Sequence, residues 1–517
     1  MAPRPSPRVL MISTELEPLA RTGGLGDVVE SLSLALAELG LDVLVVTPRY
    51  GVTRLPLRTA RWPERVPARW GWGPEDVRSL GVVELDPARF ASGGVRRVCA
   101  LDDAELFGAR EGIYGDRRGA FDDNALRFAV MSRGALEVAD RVWRGGPDVI
   151  HAHDWHAAFA VIYARLVMGE RWARIPSVFT VHNLQFQGVL DEGWLDRLHL
   201  PRAAFRPEVL WHEGKINLLK GATALADRVT TVSPTYAREI LGPEAGFGLD
   251  LHLRAHASKL VGIQNGIDLA RWDPRTDGAL AARFDERTAK TQRRRDKRAL
   301  EEELGLEPGE GPLFGLVARL TWQKGLDLLL PLVPELVDRG ARFALVGEGE
   351  RTFEDELTWL AGAHPGRVAA RIAFDPALSR RVYAGSDFFL VPSRFEPCGL
   401  TQMYAMRYGA VPIVTDVGGL HDTVEPIVGG RSTETGTGVV APRAAPDAIH
   451  AACLAAMRLH ADGRGLERAV ARAMIRAGAF GWQESAAKYR GLYERLSAAR
   501  LAPDAIPDAT RGPPRGA

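Results

Sequence analysis

Arg21-Thr22-Gly23-Gly24-Leu25-Gly26-Asp27 follows the apolar run Val9-Leu10-Met11-Ile12-Ser13 and leads into Val28 to Leu39, where apolar residues recur with helical spacing. Strand, glycine-rich turn and helix make the opening unit of a parallel α/β sheet. Such a unit turns backbone N–H groups and the positive end of a helix toward whatever binds there. A second stretch, Pro392-Ser393-Arg394-Phe395-Glu396-Pro397-Cys398-Gly399-Leu400-Thr401-Gln402, sits at an equivalent handover after Asp387 to Val391. Two such handovers predict two nucleotide-type domains facing one ligand across a cleft. The glycine spacing is not the dinucleotide fingerprint. That pattern needs G-x-G-x-x-G and an acid after the next strand, and Thr47-Pro48-Arg49 stands there instead.

Working outward, Val43–Thr47, Asp148–Ala152, Ser177–Val181 and Asp227–Ser233 read as further strands of a first series, with Gly40 closing the first helix. Leu313–Ala318, Arg342–Val346, Asp387–Val391 and Val411–Thr415 form a second series, with a helix expected over Gly325–Val337. Short apolar strands alternating with helices imply doubly wound parallel sheets, hence an α/β fold of two Rossmann-like domains. The expected division is residues 1–258, 259–480, a helix in 481–497 that crosses back to the first domain, and a disordered tail over 498–517, rich in Pro, Ala and Arg.

At 517 residues the chain is too long for one ordinary domain. Its 46% apolar and 25% charged residues are those of a globular protein, and a net charge of +1 gives no argument for nucleic acid or an acidic membrane. Three cysteines, Cys99, Cys398 and Cys453, offer neither an even disulfide framework nor paired metal spacing, which fits a reducing cytoplasm. The start, Met1-Ala2-Pro3-Arg4-Pro5-Ser6-Pro7, does not read as a signal peptide, and no long apolar stretch suggests a membrane span.

In open sheets of this kind ligands bind beyond the carboxyl ends of the strands. That rule selects Arg21–Asp27, His151–His156, His182-Asn183, Arg319–Lys324, Gly347–Gly349 and Glu396–Gly399. Gly23 and Gly24 let N–H groups approach a phosphate or sugar, or simply make a tight turn. Arg319 ends a strand and Lys324 opens a helix. A cation there opposes the helix dipole unless an anion such as a diphosphate arrives; the alternative is a solvated surface pair. Glu396, before Pro397 at the first position of a helix running to about Tyr408, either caps that helix or holds sugar hydroxyls. Cys398 lies in the same turn, where a thiol pKa can fall. No His-activated nucleophile is evident, so it is read as a packing or ligand-contact residue. His151, His153, His156 and Asp154 include zinc-type ligands, but without a second ligand cluster a sugar- or acceptor-contact role for Asp154 is the better reading. His182 ends a strand at the binding edge. Asn265-Gly266-Ile267-Asp268 reads as a turn at the domain junction.

These residues, in this order, resemble the bacterial glycogen synthase and plant starch synthase family, ADP-glucose-using glycosyltransferases of the GT-B fold. The resemblance is carried by Arg21–Val28, Gly112-Ile113-Tyr114-Gly115-Asp116, His151–Ala157, Phe179–Leu184 with Gln187-Gly188, Ser233-Pro234-Thr235-Tyr236-Ala237-Arg238-Glu239-Ile240 and Pro392–Gln402. Arg319–Gly325, Thr415–Gly419 and Phe480-Gly481-Trp482 add to it, and together they cover about residues 8 to 497. The resemblance implies retaining transfer of glucose from ADP-glucose to the non-reducing 4-hydroxyl of an α-1,4-glucan such as glycogen, without metal or cofactor, and without a nucleic-acid or membrane partner. It implies that Arg319 and Lys324 bind the diphosphate. Glu396 with the backbone of Cys398, Gly399 and Leu400, next to Thr401, would hold the glucose. His182 would lie by the anomeric centre and Asp154 near glucose and acceptor. Arg21, Gly23, Gly24 and Asp27 would close from the other domain. Phe374 would stack on adenine, and Asn265 and Gly347 would line the nucleotide-sugar site.

One departure is Arg21, where the family usually has Lys. A guanidinium is longer and planar, so the choice between ADP-glucose and UDP-glucose is left to experiment. Tyr404, where broader GT-B families often have a second Glu, favours the glycogen and starch branch. A transferase using another donor and a small or lipid acceptor, and a catalytically silent glucan-binding protein, are the competing readings. A phosphorylase is disfavoured because no pyridoxal-phosphate lysine context is evident.

Overall fold

Val9, Leu10, Met11 and Ile12 have no exposed surface. A run that is apolar at every position cannot lie on a half-solvated sheet, so it becomes a central strand covered on both faces. In the computed structural model, which describes residues 7–56, 58–71, 73–116, 118–427 and 435–500, this strand β1 (Arg8–Ile12) is the pivot of an eleven-stranded sheet. β1 pairs in parallel with β2 (Asp42–Pro48) on one side, Val9 opposite Val43, and with Val149–His153 on the other, Val9 opposite Val149.

The chain divides into two units. The first gathers the described residues of Met1–Thr230, Gly246–Val261 and Gln483–Ala517; the second those of Thr231–Ala245 and Gly262–Trp482. In the first, helix α1 (Gly24–Glu38) follows β1. Strand β3 (Val77–Leu85) runs antiparallel to β4 (Val95–Asp102), which pairs in parallel with β2. These antiparallel additions were not foreseen in the run of parallel strands. β5 (Val149–His153) leads into helix α2 (Asp154–Leu166), and β6 (Ser177–Val181) and β7 (Arg228–Thr231) continue the sheet in the order β7-β6-β5-β1-β2-β4-β3.

The second unit holds a six-stranded sheet, all parallel, formed by β8 (Leu313–Val317), β9 (Arg342–Gly347), β10 (Val368–Ile372), β11 (Phe388–Val391), β12 (Val411–Thr415) and β13 (Val439–Ala441) in the order β10-β9-β8-β11-β12-β13. Order reverses between β8 and β11, and the loops that follow these two strands carry Arg319–Lys324 and Pro392–Gln402. That is the topological switch point at which open α/β sheets bind ligands.

The division differs from a single cut near residue 258. Thr231–Ala245 belongs with the second unit because helix α3 (Pro234–Glu239) is tied to helix α5 (Gly418–Thr423), while helix α4 (Thr401–Arg407) lies before it. Asp422 receives Thr235 Oγ1 at 2.7 Å and the Ser233 hydroxyl, and Glu239 receives the Gly418 N–H at 2.9 Å. The last helix among the described residues, α6 (Trp482–Arg500), groups with the first unit from Gln483 on, its Tyr489 and Tyr493 almost fully buried. It runs past residue 497, because Ala498, Ala499 and Arg500 are good helix formers with no Pro or Gly to stop them. The rest of the expected tail, from Leu501, lies outside the described residues, as do Met1–Ser6. The expected helix over Gly325–Val337 is three short pieces, Leu326–Leu329, Leu330–Leu332 and Val333–Asp338. Pro331 and Pro334 remove the N–H groups a continuous helix would use. No helix among the described residues is long and apolar enough to cross a membrane.

Candidate functional site

Each unit carries its own polar cluster at the carboxyl ends of its strands. In the second, Glu396 is buried and its Oε2 receives Lys324 Nζ at 2.6 Å and Ser393 Oγ at 2.8 Å. Two expectations change here. Lys324 does not open a long helix; it ends a short 3-10 turn, Trp322–Lys324, and Gly325 follows in a left-handed conformation. Its charge is met by Glu396 rather than standing against a helix dipole. Nor does Pro397 start a helix. Gly399, at φ +69°, turns the backbone away, and the helix begins only at Thr401. Glu396 is therefore not a helix cap but one arm of an ion pair in a loop.

That loop is held from both sides. The Gly419 N–H donates to Glu396 O at 2.9 Å, and a Cβ on Gly419 would lie 2.0 Å from Cys398 O, so the two backbones touch directly. Gln402 Nε2 donates to Gly399 O at 2.9 Å. Arg394 pairs with Asp327 at 2.6 and 2.7 Å, and its backbone N–H donates to Gln323 O, joining the Glu396 loop to the Lys324 loop. Burial pushes the Cys398 thiol up to about 12, against the Asn265 N–H that favours the thiolate. This overturns the expectation of a lowered pKa, whose helix terminus is absent. Asn265 is buried beside it. Leu400 and Thr401 are partly exposed where α4 starts, and Gly347 ends β9 against Ala318 O. Arg319 is exposed, with no ion pair among the described residues. The Phe374 ring is 60% exposed on the loop after β10.

In the first unit the glycine turn is shorter than expected. The helix starts at Gly24, with Gly23 as its cap, so Gly24 to Asp27 form the first turn of α1. The N–H of Gly23, expected to face a ligand, is taken by Glu15 Oε2 at 3.1 Å, and that of Thr22 by the same oxygen at 2.7 Å. The other oxygen of Glu15 receives Tyr114 Oη at 2.6 Å. Glu15 thus clamps the turn, and sequence reading missed it. Arg21 bonds both oxygens of Asp27 at 3.0 Å and lies 3.7 Å from Glu17.

Asp154 and His182 meet through the backbone. Asp154 Oδ1 receives the His182 N–H at 2.7 Å. Burial lifts the Asp154 carboxyl to about 7, opposed by the N–H groups of His182 and Asn183 and aided by the charge of Glu15. Asp154 also has φ +58°, rare for a residue with a Cβ. The His182 imidazole is lowered by burial to about 3 and stays neutral. Its Nε2 lies 3.0 Å from Nδ1 of His153. The other imidazoles of the run are structural: His156 stacks on Tyr114 with centroids 4.6 Å apart, and His151 bonds Thr180 Oγ1 at 2.6 Å and Tyr493 Oη at 2.7 Å.

A cation pair with a buried carboxylate at one switch point, and a neutral imidazole with a perturbed carboxyl at the end of the other sheet, suit an anionic leaving group and a sugar. Comparison with known proteins shows the family. A family model of the starch synthase catalytic domain matches residues 8–255, and one of glycosyl transferases group 1 matches residues 311–458. The glycogen synthase of Myxococcus xanthus (strain DK1622) is 42% identical over 494 residues, spanning 95% of this chain and 99% of that protein. The glycogen synthase of Anaeromyxobacter dehalogenans (strain 2CP-C) is 41% identical over 500 residues, spanning 95% and 100%. Among solved structures, the catalytic domain of starch synthase IV from Arabidopsis thaliana bound to ADP and acarbose matches with a TM-score of 0.85 at 31% identity, covering 95% of this chain and 100% of that one. A sucrose-phosphate synthase from Thermosynechococcus elongatus, at 19% identity and a TM-score of 0.58 over 95% of this chain and 100% of that one, shares the fold.

Proposed function

The chain belongs to the glycogen synthase and starch synthase family of glycosyltransferases, and from that premise we infer that it lengthens an α-1,4-glucan, adding glucose from ADP-glucose to the non-reducing 4-hydroxyl with retention at the anomeric carbon. The observation that carries the reading at the level of the site is the Lys324–Glu396–Ser393 cluster, with Arg319, exposed and without an ion pair among the described residues, five positions before Lys324.

Breaking the bond between glucose and diphosphate puts negative charge on the leaving group and positive charge on the anomeric carbon. Arg319 and Lys324 answer the first, each charge-assisted contact contributing about 1.5–3 kcal/mol. Glu396, its orientation fixed through Oε2, accepts hydrogen bonds from glucose hydroxyls, and the backbone of Cys398, Gly399 and Leu400 with Thr401 completes the cradle. Gly347 and Asn265 shape the wall behind it, and the exposed Phe374 ring offers its face to adenine. His182, being neutral, can hydrogen-bond the sugar without adding repulsion beside a cationic carbon. Asp154 holds the His182 backbone and addresses glucose and acceptor, and the Arg21–Asp27 pair on the Gly23-Gly24 turn supplies the remaining donor contact. A diphosphate oxygen takes the acceptor proton on the same face, so a paired-carboxylate hydrolase geometry is not required.

Charge neutralisation is thereby assigned to side chains, not to a metal ion or another cofactor. The reading sets the enzyme in the cytoplasm, with ADP-glucose and glycogen as its partners and neither nucleic acid nor membrane. The test is incorporation of labelled glucose into glycogen from ADP-glucose and, separately, UDP-glucose, with the linkage checked by release of labelled maltose by an exo-acting amylase. Faster transfer from ADP-glucose, insensitive to a chelator, is expected. Transfer from neither donor by folded protein overturns the reading.

A further inference from the structure

We propose that His153 is a positioning residue for the transfer: it fixes the tautomer and ring orientation of His182, and helix α6 fixes His153 in turn. This rests on the reading of His182 as a group that contacts the sugar.

His153 ends β5 and His182 directly follows β6, its parallel neighbour, with His153 opposite Thr180. The two rings share one hydrogen bond, His153 Nδ1 to His182 Nε2 at 3.0 Å. Burial lowers the pKa of both, so both are neutral and only one of them can place a proton on that axis. The choice is decided by the far side of His153. Its Nε2 is buried and has no partner among the described residues. Were His182 the donor, His153 would carry its own proton on Nε2, as a buried unpaired N–H. With His153 donating from Nδ1, only a lone pair is left at Nε2. Orphaned buried N–H groups are the rarer and costlier of the two. His153 therefore donates to His182 Nε2, and His182 keeps its proton on Nδ1. It offers a sugar oxygen a donor, not an acceptor.

The ring of His153 is itself braced. His151 lies against it with centroids 4.1 Å apart, and His151 is locked at both nitrogens, by Thr180 Oγ1 at 2.6 Å and by Tyr493 Oη at 2.7 Å. Tyr493 belongs to α6 and is fully buried. A contiguous path thus runs from Tyr493 of α6 through His151 and His153 to His182.

Two measurements test this. In the full chain labelled with 15N-histidine, the ring signals of His182, assigned by their loss in His182→Ala, are expected to show Nδ1 protonated and Nε2 bare. The reverse tautomer overturns the proposal whatever the activity. In kinetics, His153→Phe keeps ring and burial but loses the N–H. Its kcat for glucosyl transfer is expected to fall about tenfold to a hundredfold, with KM for ADP-glucose little changed. His153→Asn, whose amide nitrogen can stand where Nδ1 stood, is expected to recover part of kcat. If His153→Phe is too unstable to assay, the Asn variant and the wild-type spectrum still decide. Unchanged kcat in folded His153→Phe, with His182→Ala inactive, overturns the positioning role alone. Full activity in His182→Ala overturns the role of His182 and this proposal with it.

Discussion

Asp154 shows how one residue can be held in an unfavourable state by its surroundings. Its backbone at φ +58° costs roughly 1–3 kcal/mol for a residue with a Cβ. The conformation persists because it aims the carboxyl at the N–H groups of His182 and Asn183. Its pKa, raised to about 7, has a definite sign in the stability. Relative to an ordinary aspartate, its contribution is complete below about pH 4, the unfolded value, and is lost as the pH rises through about 7. Asp154→Asn cannot ionise, still accepts the His182 N–H, and tolerates the left-handed backbone. Its melting temperature is thus expected to exceed the wild type's by more at pH 8 than at pH 5. An equal difference at both pH values would show that Asp154 ionises freely. Asp154 and His182 were legible in the sequence because strand ends bind ligands. Glu15 was not: its partners are Thr22, Gly23 and, from far along the chain, Tyr114, and a lone acid in a turn has no spacing signature.

Among the elements, strands read off the sequence well because runs such as Val9–Ile12 and Val411–Thr415 have only one place to hide. Helix starts read less well. Gly24 and Gly26 are helical although glycine disfavours helices, since Glu15 anchors the cap from outside the helix. Pro397 fails to start one because Gly399 takes a left-handed turn two residues on. The antiparallel β3 escaped because its register depends on β4 and not on its own period. What these elements build in the second unit is a loop pressed between backbones, and that can be tested. A methyl at Gly419 would fall 2.0 Å from Cys398 O, a backbone atom that moves only with the Glu396 loop. Gly419→Ala is expected to lose about 1–3 kcal/mol in thermal unfolding and to raise KM for ADP-glucose. Unchanged values of both would mean that the loop is soft and the Glu396 geometry not fixed by α5.

For the whole molecule, two α/β units were legible from two series of strands, but the weave between them was not. The chain leaves the first unit at Thr230, returns at Gly246 and leaves again at Val261, and from Gln483 the helix α6 belongs with the first unit again. Asp422 and Glu239 hold Thr231–Ala245 in the second unit through side-chain bonds that no composition shift announces. The residues of the proposed site are distributed in the same way: Arg319, Lys324 and Glu396 lie in one unit, His182 and Asp154 in the other. The most direct measurement is therefore glucosyl transfer from ADP-glucose to glycogen by the wild type and by one variant from each unit, Lys324→Ala and His182→Ala, with folding checked by circular dichroism. The account predicts transfer by the wild type and a loss of kcat/KM of at least about a hundredfold in each variant, since each removes a transition-state contact. Wild-type rates in either folded variant would contradict it.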